Sequence, residues 1–276
     1  MKFKSCLLAC DIDGTLMNEG YINPKNIEYI NKFVDEGGIF CLATGRCGPA
    51  LNHIIPHFEK SKIAIIYNGG MIYDFKEEKV LYEKTLDNSD KLFFKNVLDN
   101  TEKLGIEVHI GKEIYWLRKS KGSQEHLDYE YLTAKETDFD HIKNLPWNKA
   151  MCVFDNCEQK IHIEKMAKEF NSKSCSFVNI TFKAFGKNYC GFEQLPLYAD
   201  KGTALRELRK ILNIPKGKIF AIGDYYNDVA MLRAADVSAC TIDSPEDIKK
   251  SVDFVAGTCL DGAVADFIEY LMTVDL

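Results

Sequence analysis

Five short, uninterrupted apolar runs constrain the fold of this chain more than any other feature of its sequence. They are CLLAC at 6–10, IFCLA at 39–43, IAII at 63–66, IFAI at 219–222 and VSACTI at 237–242. Apolar runs of this length without polar alternation indicate strands that are buried on both faces, as in a parallel sheet covered by helices. We therefore expect these segments to form one buried sheet.

Helical patterns follow most of these runs. The segment NPKNIEYINKFVDEGG offers Asn23 as the N-cap, Pro24 at the first helical position and Gly37 at the stop. The segment DKGTALRELRKILNI places Leu205 and Leu208 on one helical side. Alternating strands and helices predict an α/β fold with a Rossmann-like, doubly wound parallel sheet.

The pattern changes between about Thr85 and Gln194. The segments IEVHI, IYWLR, MCVFD and VNITFKAF partly alternate, which is typical of half-solvated strands, and helical stretches separate them. We interpret residues 85–194 as an inserted α+β domain, with residues 1–84 and 195–276 as the core. A length of 276 residues accommodates two such units.

Charge and cysteine usage favour a small ligand and a reducing compartment. The formal net charge is -6 and the basic residues are scattered, which disfavours nucleic acid and anionic membranes as partners. No charged-then-apolar leader begins the chain, and no apolar stretch approaches the roughly 20 residues that span a bilayer.

Several of the ten cysteines lie inside apolar runs and no CxxC pair occurs, so we expect reduced thiols in a cytoplasmic protein rather than a structural zinc site.

Four of the apolar runs are followed directly by residues that can bind a ligand. These are Asp11 and Asp13, then Thr44, Gly45 and Arg46, then Asn68 and Gly69, and finally Asp224, Asn227 and Asp228. The carboxyl ends of parallel strands lie at one edge of a sheet, where open α/β folds bind ligands. We therefore expect these distant residues to meet in one crevice.

The aspartates in this set require cations. Asp11 and Asp13 are two residues apart, so both side chains point the same way from an extended backbone. Two carboxylates about 4 Å apart repel by about 1 kcal/mol in water and about 4 kcal/mol at an effective dielectric of 20. Asp224 and Asp228 add to this repulsion, and Lys201 supplies one positive charge. A hard divalent ion, Mg²⁺ where phosphate is the other ligand, would supply the rest.

Other motifs with similar residues fit less well. An EF-hand that begins at Asp11 needs glycine at 16 and glutamate at 22, where the chain has Leu16 and Ile22. Neither the P-loop pattern GxxxxGK[ST] nor the dinucleotide pattern GxGxxG occurs. An Asp-Gly turn that closes a strand explains DIDGT alone, but not four such groups in this order.

The four groups resemble, in order, the four motifs of the haloacid dehalogenase superfamily of phosphohydrolases. The matching residues are DIDGT at 11–15, the threonine of LATGR, the lysine of DKGTAL and GDYYND at 223–228. NGG at 68–70 and the large insertion resemble the Cof-type branch with a C2 (IIB) cap. Two mild departures are the aspartate before Lys201 and the pair Tyr225 and Tyr226, and neither removes a required group.

The resemblance implies a role for each matching residue. Asp11 would be the nucleophile that forms an aspartyl-phosphate, and Asp13 would give a proton to the leaving oxygen and then help to activate water. Thr44 and Lys201 would hold the phosphoryl oxygens, and Lys201 would also orient Asp11. Such chemistry needs mainly alignment and charge neutralisation, and covalent capture divides one hard step into two.

The resemblance also implies the metal and substrate residues. Mg²⁺ would be bound by Asp11, Asp224 and the backbone carbonyl of Asp13, with Asp228 in support. Asn227 would lie beside the lysine and the phosphate. The remaining substrate-binding candidates follow the second and third strands: Gly45, Arg46, Asn68 and Gly69.

The expected function is a Mg²⁺-dependent phosphatase of small phosphorylated metabolites such as sugar phosphates, nucleotides or phosphorylated cofactors. A phosphomutase or a dedicated sugar-phosphate phosphatase is an alternative on the same core, and a non-catalytic regulator is another. Specificity would lie in the insertion, where the candidates near its return are Lys187, Asn188, Tyr189 and Glu193. We expect a monomer or a weak homodimer.

Overall fold

Two compact units make up the chain in the computed structural model, which describes residues 1–58, 60, 62–215 and 218–274. The core unit consists of Met1–Arg46, Leu51–Glu83 and Asp200–Leu276. The inserted unit consists of Cys47–Ala50 and Lys84–Ala199. No helix within the described ranges is long and apolar enough to cross a membrane.

The helices and strands follow one another in three stretches. The first contains β1 (Leu7–Cys10), β2 (Met17–Asn18), β3 (Tyr21–Ile22), α1 (Pro24–Asp35), β4 (Ile39–Ala43), β5 (Ile63–Ile66), β6 (Met71–Asp74) and β7 (Lys79–Glu83). The second contains α2 (Asn88–Asn100), β8 (Gly105–Ile110), β9 (Glu113–Arg118), α3 (Lys121–Tyr129), β10 (Lys135–Glu136), α4 (Phe139–Ile142), β11 (Lys149–Phe154), α5 (Cys157–Phe170), β12 (Cys175–Ala184) and β13 (Lys187–Pro196). The third contains α6 (Lys201–Ile211), β14 (Ile219–Gly223), α7 (Val229–Ala234), β15 (Val237–Thr241), α8 (Glu246–Lys249), β16 (Phe254–Ala256) and α9 (Ala263–Thr273).

The core unit is built on an eight-stranded sheet in the order β16-β15-β14-β1-β4-β5-β6-β7. Its strands are parallel from β16 through β5, which confirms the predicted α/β fold with a parallel core. Strands β6 and β7 extend the sheet in the antiparallel direction, and the sequence pattern did not predict them. The chain reverses after β5 through Tyr67 and Asn68, whose φ angles are 55° and 53°.

Alternate residues of the central strands face opposite sides of this sheet, and helices cover both. Leu7 and Ala9 face α6 and α7, where they pack with Leu205 and Leu208. On the other side, the ring of Phe33 in α1 contacts that of Phe220 in β14 at a centroid distance of 6.4 Å. The sheet is therefore doubly wound, and its apolar runs are buried because both faces are covered.

Helix α1 begins where its sequence predicts. The side chain of Asn23 accepts a hydrogen bond from the backbone N–H of Lys25 at 2.8 Å, and Pro24 occupies the first helical position. This arrangement satisfies one of the backbone donors that a helix start leaves open. Gly37 follows the helix with a φ of 90°, a conformation that glycine adopts at little cost.

The inserted unit contains a six-stranded sheet in the order β10-β9-β8-β11-β13-β12. Helices α2 and α5 pack on one face through an aromatic cluster that includes Phe93, Phe170 and Phe192. Helix α3 contacts β8 and β11, where a Cβ atom on Gly105 would lie 2.4 Å from Oγ of Ser120.

The prediction of half-solvated strands in this unit is wrong for β8 and β11. Strand β11 is buried along its length, and so is β8 except at its last residue. The polar residues that suggested exposure are instead paired inside the unit, as described below. Residues 195–199, which the sequence pattern places in the core, group with the inserted unit, where β13 pairs with β12 as far as Pro196.

Candidate active site

The carboxyl ends of three parallel strands bring the predicted site residues together. Strand β1 pairs with β4 on one side and with β14 on the other. Asp11 follows β1, Thr44 follows β4 and Asp224 follows β14. The backbone N–H of Asp11 donates to the carbonyl of Ile222 at 3.0 Å, which is the last hydrogen bond between β1 and β14. This bond fixes the backbone of the nucleophile candidate.

Lys201 joins two of the aspartates. Its Nζ atom donates to Oδ1 of Asp11 at 2.5 Å and to Oδ1 of Asp228 at 2.6 Å, and the lysine side chain is fully buried. Burial lowers the pKa of Lys201, but the charges of the two carboxylates outweigh it and raise the pKa above its usual value. The lysine therefore carries a permanent positive charge between two acids.

One helix-capping hydrogen bond and one close backbone approach fix the position of this lysine. Lys201 is the first residue of α6, where the side chain of Asp200 accepts a hydrogen bond from the N–H of Thr203 at 2.8 Å. A Cβ atom on Gly202 would lie 2.1 Å from the carbonyl oxygen of Ala230, so only glycine allows α6 to approach α7 this closely. These contacts explain the aspartate and the glycine of DKG independently of the chemistry of the lysine.

Asp11, Asp224 and Asp228 form an acidic cluster in which one oxygen or more from each lies within 4.8 Å of the others. Burial raises the pKa of Asp11 well above its usual value, and the charge of Asp228 adds to the effect. Burial, followed by the charge of Asp228, also raises the pKa of Asp224 to about 6. Three carboxylates therefore share one lysine charge.

The turn after β1 is shaped to fit this cluster. Gly14 has a φ of 86°, and a Cβ atom there would lie 2.5 Å from Oδ2 of Asp224. The hydroxyl of Thr15 donates to Oδ1 of Asp224 at 3.2 Å. Thr15 was not predicted as a site residue, although its place in DIDGT is a signal that could have identified it.

A tight loop surrounds Thr44. The N–H of Asn68 donates to the carbonyl of Thr44 at 3.0 Å, and a Cβ atom on Gly45 would lie 3.0 Å from Nδ2 of Asn68. Gly69 has a φ of 101°, and a Cβ atom there would lie 2.2 Å from the carbonyl oxygen of Asp200. Gly45, Asn68 and Gly69 therefore position the loop, and Thr44 is 1% exposed.

Arg46 bonds to the second aspartate of the first motif. Its Nε donates to Oδ2 of Asp13 and its Nη2 donates to Oδ1, both at 2.8 Å. The sequence predicted Arg46 as a substrate-binding candidate and did not predict this pair. Residue spacing gave no signal for it, because it depends on the course of two loops from different strands.

Asn227 does not join the cluster. It lies in the short 3-10 turn Tyr226–Asp228, its side chain is exposed, and among the described residues it makes no hydrogen bond to Lys201. The lysine partner from this motif is Asp228. The turn geometry decides which of the two neighbouring side chains faces inward.

The specificity candidates of the inserted unit fall into two groups. Glu193 is buried and accepts a hydrogen bond from Nζ of Lys149 at 2.8 Å. The hydroxyl of Tyr189 donates to Glu125, and Nζ of Lys187 lies 3.6 Å from the same carboxylate. Asn188 is exposed.

A second buried polar pair in the inserted unit was not predicted. Nδ1 of His126 in α3 lies 3.0 Å from Oε2 of Glu107 in β8, and Nε2 of His109 lies 3.5 Å from the same atom. Burial opposes ionisation of Glu107, but the charge of His126 and the hydrogen bond of His109 lower its pKa to about 2. Residue spacing does not show that these side chains meet, because His126 comes from α3 and Glu107 from β8.

Comparisons with known proteins agree on one family. A family model described as haloacid dehalogenase-like hydrolase matches residues 8–268. Two relatives from Bacillus subtilis are each 27% identical: phosphatase YwpJ, over 96% of this chain and 99% of the relative, and 5-amino-6-(5-phospho-D-ribitylamino)uracil phosphatase YwtE, over 96% and 98%. A solved structure described as a subclass IIB sugar phosphatase of the same superfamily has a TM-score of 0.79 at 17% identity, covering 98% of this chain and 100% of that one.

Proposed function

The chain belongs to the haloacid dehalogenase-like hydrolases, and from this premise we propose that it is a Mg²⁺-dependent phosphatase that works through an aspartyl-phosphate. Members of this kind are Cof-type phosphatases that act on small phosphorylated molecules. The observation that carries the proposed mechanism is the contact of Lys201 with both Asp11 and Asp228, beside Asp224. This arrangement holds a carboxylate nucleophile against a fixed positive charge.

Asp11 is the proposed nucleophile. Lys201 donates a hydrogen bond to its Oδ1, and this bond orients the carboxylate. The ammonium charge favours the ionised form that attacks phosphorus, and it also neutralises the oxygens of the phosphoryl group in the transition state. Thr44, buried at the end of β4, is the second proposed holder of the phosphoryl oxygens.

Asp13 is the proposed acid and base. Its side chain is 53% exposed, so it can reach the leaving group of a substrate. It would give a proton to the leaving oxygen in the first step and accept one from the attacking water in the second. The two aspartates are both needed because one must be ionised while the other carries a proton.

The acidic cluster fits a divalent cation. Three carboxylates with one lysine leave an excess of two negative charges, and oxygen donors are the ligands that Mg²⁺ prefers. Asp11, Asp224 and the backbone carbonyl of Asp13 would hold the ion, with Asp228 in support. When bound, Mg²⁺ supplies charge neutralisation for the phosphoryl oxygens.

We assign residues 85–194 the role of a cap that selects the substrate. The groups proposed for phosphoryl transfer all come from the core unit, so recognition of the leaving group falls to the inserted unit. The similarity of the whole chain to a phosphatase of a phosphorylated ribitylaminouracil supports a small phosphorylated metabolite, such as a sugar phosphate, nucleotide or cofactor, as the substrate.

All ten cysteines lie in the described ranges as free thiols, which supports a reducing, cytoplasmic location.

The proposal is tested by phosphate release from a panel of phosphorylated sugars, nucleotides and cofactors. Asp11→Asn should abolish turnover and leave the circular dichroism spectrum unchanged, because asparagine removes the nucleophile and keeps the size of the side chain, while the loss of a charged partner of Lys201 lowers the free energy of unfolding. The matched control is Asp35→Asn, an exposed aspartate of α1 paired with Lys60. Phosphate release by Asp11→Asn within about tenfold of the wild type would refute the nucleophile assignment.

A further inference from the structure

The two-point contact between Arg46 and Asp13 occupies both oxygens of the Asp13 carboxylate. Nε bonds to one oxygen and Nη2 to the other, each at 2.8 Å. A planar guanidinium that binds both oxygens fixes the plane of the carboxylate as well as its position. The orientation of Asp13 is therefore set by Arg46.

Arg46 is the fixed member of this pair. Its N–H donates to Oγ1 of Thr44 at 3.1 Å, and its carbonyl accepts the N–H of Tyr67 at 3.0 Å. Its side chain is 8% exposed, whereas that of Asp13 is 53% exposed. The arginine is thus anchored by its backbone and by burial, and the aspartate is the member that can reach a substrate.

Asp13 needs one oxygen for the leaving group if the function proposed above holds. With both oxygens on Arg46, neither is directed at a leaving oxygen. We propose that Arg46 is a positioning residue for Asp13, which keeps one Asp13 oxygen bonded throughout turnover and releases the other to the leaving group. A residue that merely neutralised Asp13 would not need the planar, two-donor geometry that the structure shows.

Both oxygens accept from the guanidinium in the structure, so the oxygen that leaves Arg46 first takes up a proton from solvent. In the first step the bond from phosphorus to the leaving oxygen breaks, a bond from Asp11 to phosphorus forms, and the leaving oxygen takes the proton from the released Asp13 oxygen. In the second step water attacks phosphorus, its proton passes to the same Asp13 oxygen, and the bond to Asp11 breaks. Protons and bonds balance over the cycle, and Arg46 donates to the other oxygen in both steps.

Arg46→Lys tests the proposal because lysine keeps the charge and loses the planar pair of donors. Two substrates are compared: p-nitrophenyl phosphate, whose leaving group needs little protonation, and the alkyl phosphate that the wild type hydrolyses fastest in the panel. We expect kcat for the alkyl phosphate to fall by about 100-fold and kcat for p-nitrophenyl phosphate by less than about tenfold. KM for both should stay within about threefold. The control is Arg233→Lys, an exposed arginine of α7.

Two outcomes of this comparison would overturn the proposal. An equal loss of kcat on both substrates would mean that Arg46 does not act through proton transfer. A rise in KM at unchanged kcat would mean that Arg46 binds the phosphate directly, as a substrate-binding residue does. If the wild type releases phosphate from no monoester, the proposed function itself fails, and that result is distinct from either of these.

Two further measurements separate positioning from a structural role. Guanidinium ion added to folded Arg46→Ala should restore part of the alkyl phosphatase activity, since it supplies the missing planar donors; no recovery would count against the proposal. Adding Arg46→Lys to Asp13→Asn should change the p-nitrophenyl phosphatase rate by less than about threefold, because the group on which Arg46 acts is already absent. Additive losses would show that the two residues act independently.

Discussion

Nζ of Lys201 lies 2.6 Å from Oδ1 of Asp228, and neither side chain is exposed to solvent. The other oxygen of Asp228 accepts the backbone N–H groups of Asp224 and Tyr225 at 3.0 and 3.1 Å. Both oxygens of Asp228 are therefore engaged within the protein. Asp228 holds the lysine and the loop after β14 in place, while Asp224 is the carboxylate that we propose as the metal ligand.

This division predicts that two conservative substitutions differ in whether they mainly weaken Mg²⁺ binding or mainly weaken the fold. Asp224→Asn should lower Mg²⁺ affinity by more than about 100-fold, and Asp228→Asn by about tenfold, as for a residue that supports a ligand. Asp228→Asn should instead lower the free energy of unfolding by about 3 kcal/mol, because a buried lysine loses one of its two charged partners. Titration calorimetry and urea unfolding, with Asp35→Asn as the control, would reveal the reverse order if the assignment were wrong.

The raised pKa of Asp224 predicts how pH and Mg²⁺ act on stability. The folded protein keeps a proton on Asp224 up to about pH 6, whereas the usual pKa is 3.8. This contribution to stability is therefore complete below about pH 3.8 and is lost as the pH rises through about 6. In the proposed function Mg²⁺ binds the ionised form, so it should raise the melting temperature more at pH 7.5 than at pH 5. At a concentration 100 times its dissociation constant the gain is about 2.7 kcal/mol.

Thermal unfolding at the two pH values, with and without Mg²⁺, measures this difference. In Asp224→Asn the pH dependence of the Mg²⁺ effect should be weaker, because one of the two proposed metal ligands with a raised pKa has been removed. An equal effect of Mg²⁺ on the wild type at both pH values would contradict the assignment.

Gly14 and Gly20 form a matched pair for testing the turn after β1. Both have a φ of 86°, but a Cβ atom on Gly14 would lie 2.5 Å from Oδ2 of Asp224, whereas one on Gly20 would meet nothing within 4 Å. Alanine at either position should cost about 1 kcal/mol of stability through backbone strain. Only Gly14→Ala should also lower kcat, by about 100-fold, because it displaces the Asp224 carboxylate. Similar kcat values for the two variants would show that Asp224 tolerates the displacement.

The Glu107 and His126 pair predicts a pH-dependent contribution in the inserted unit. The pKa of Glu107 is lowered from 4.5 to about 2; for His126 burial opposes ionisation, but the Glu107 charge raises the pKa above 6.5. The Glu107 contribution is present above about pH 4.5 and is lost as the pH falls towards 2. The His126 contribution is present below about pH 6.5 and is lost as the pH rises through the higher folded value. The pair is therefore strongest between these limits.

Glu107→Gln should lower the free energy of unfolding by about 3 kcal/mol at pH 5.5 and by less at pH 8.5. The control is Glu113→Gln, an exposed glutamate of β9 that pairs with Lys135, and it should change stability by less than about 0.5 kcal/mol. Urea unfolding followed by tryptophan fluorescence measures both. A loss of equal size at the two pH values would show that the ionised histidine contributes nothing.

The strands of the core and the meeting of distant aspartates could be predicted because each depends on a local pattern. Apolar runs locate β1, β4, β5 and β14, and parallel pairing then brings Asp11 and Asp224 to one edge. Lys201 follows from the same reasoning, since it opens a helix that begins near that edge. Such features need only the period of the pattern and the direction of the strands.

The remaining contacts depend on register and loop course, which residue spacing does not encode. Arg46 and Asp13 come from loops after different strands, and their bond depends on how both loops turn. Glu107 resembled a solvent-facing residue of an alternating strand, yet α3 places His126 against it. The choice of Asp228 over Asn227 as the partner of Lys201 depends on the geometry of a single turn.

The position of β1 in the sheet also sets the order in which its two edges can pair with neighbouring strands during translation. Cys10, the last residue of β1, is paired with Leu42 on one side and with Ile222 on the other. The first neighbour is synthesised soon after β1, but the second emerges only after the whole of the inserted unit. The nascent chain must therefore carry its central strand with one edge unpaired through most of translation. An unpaired strand edge is a surface through which incompletely folded chains aggregate.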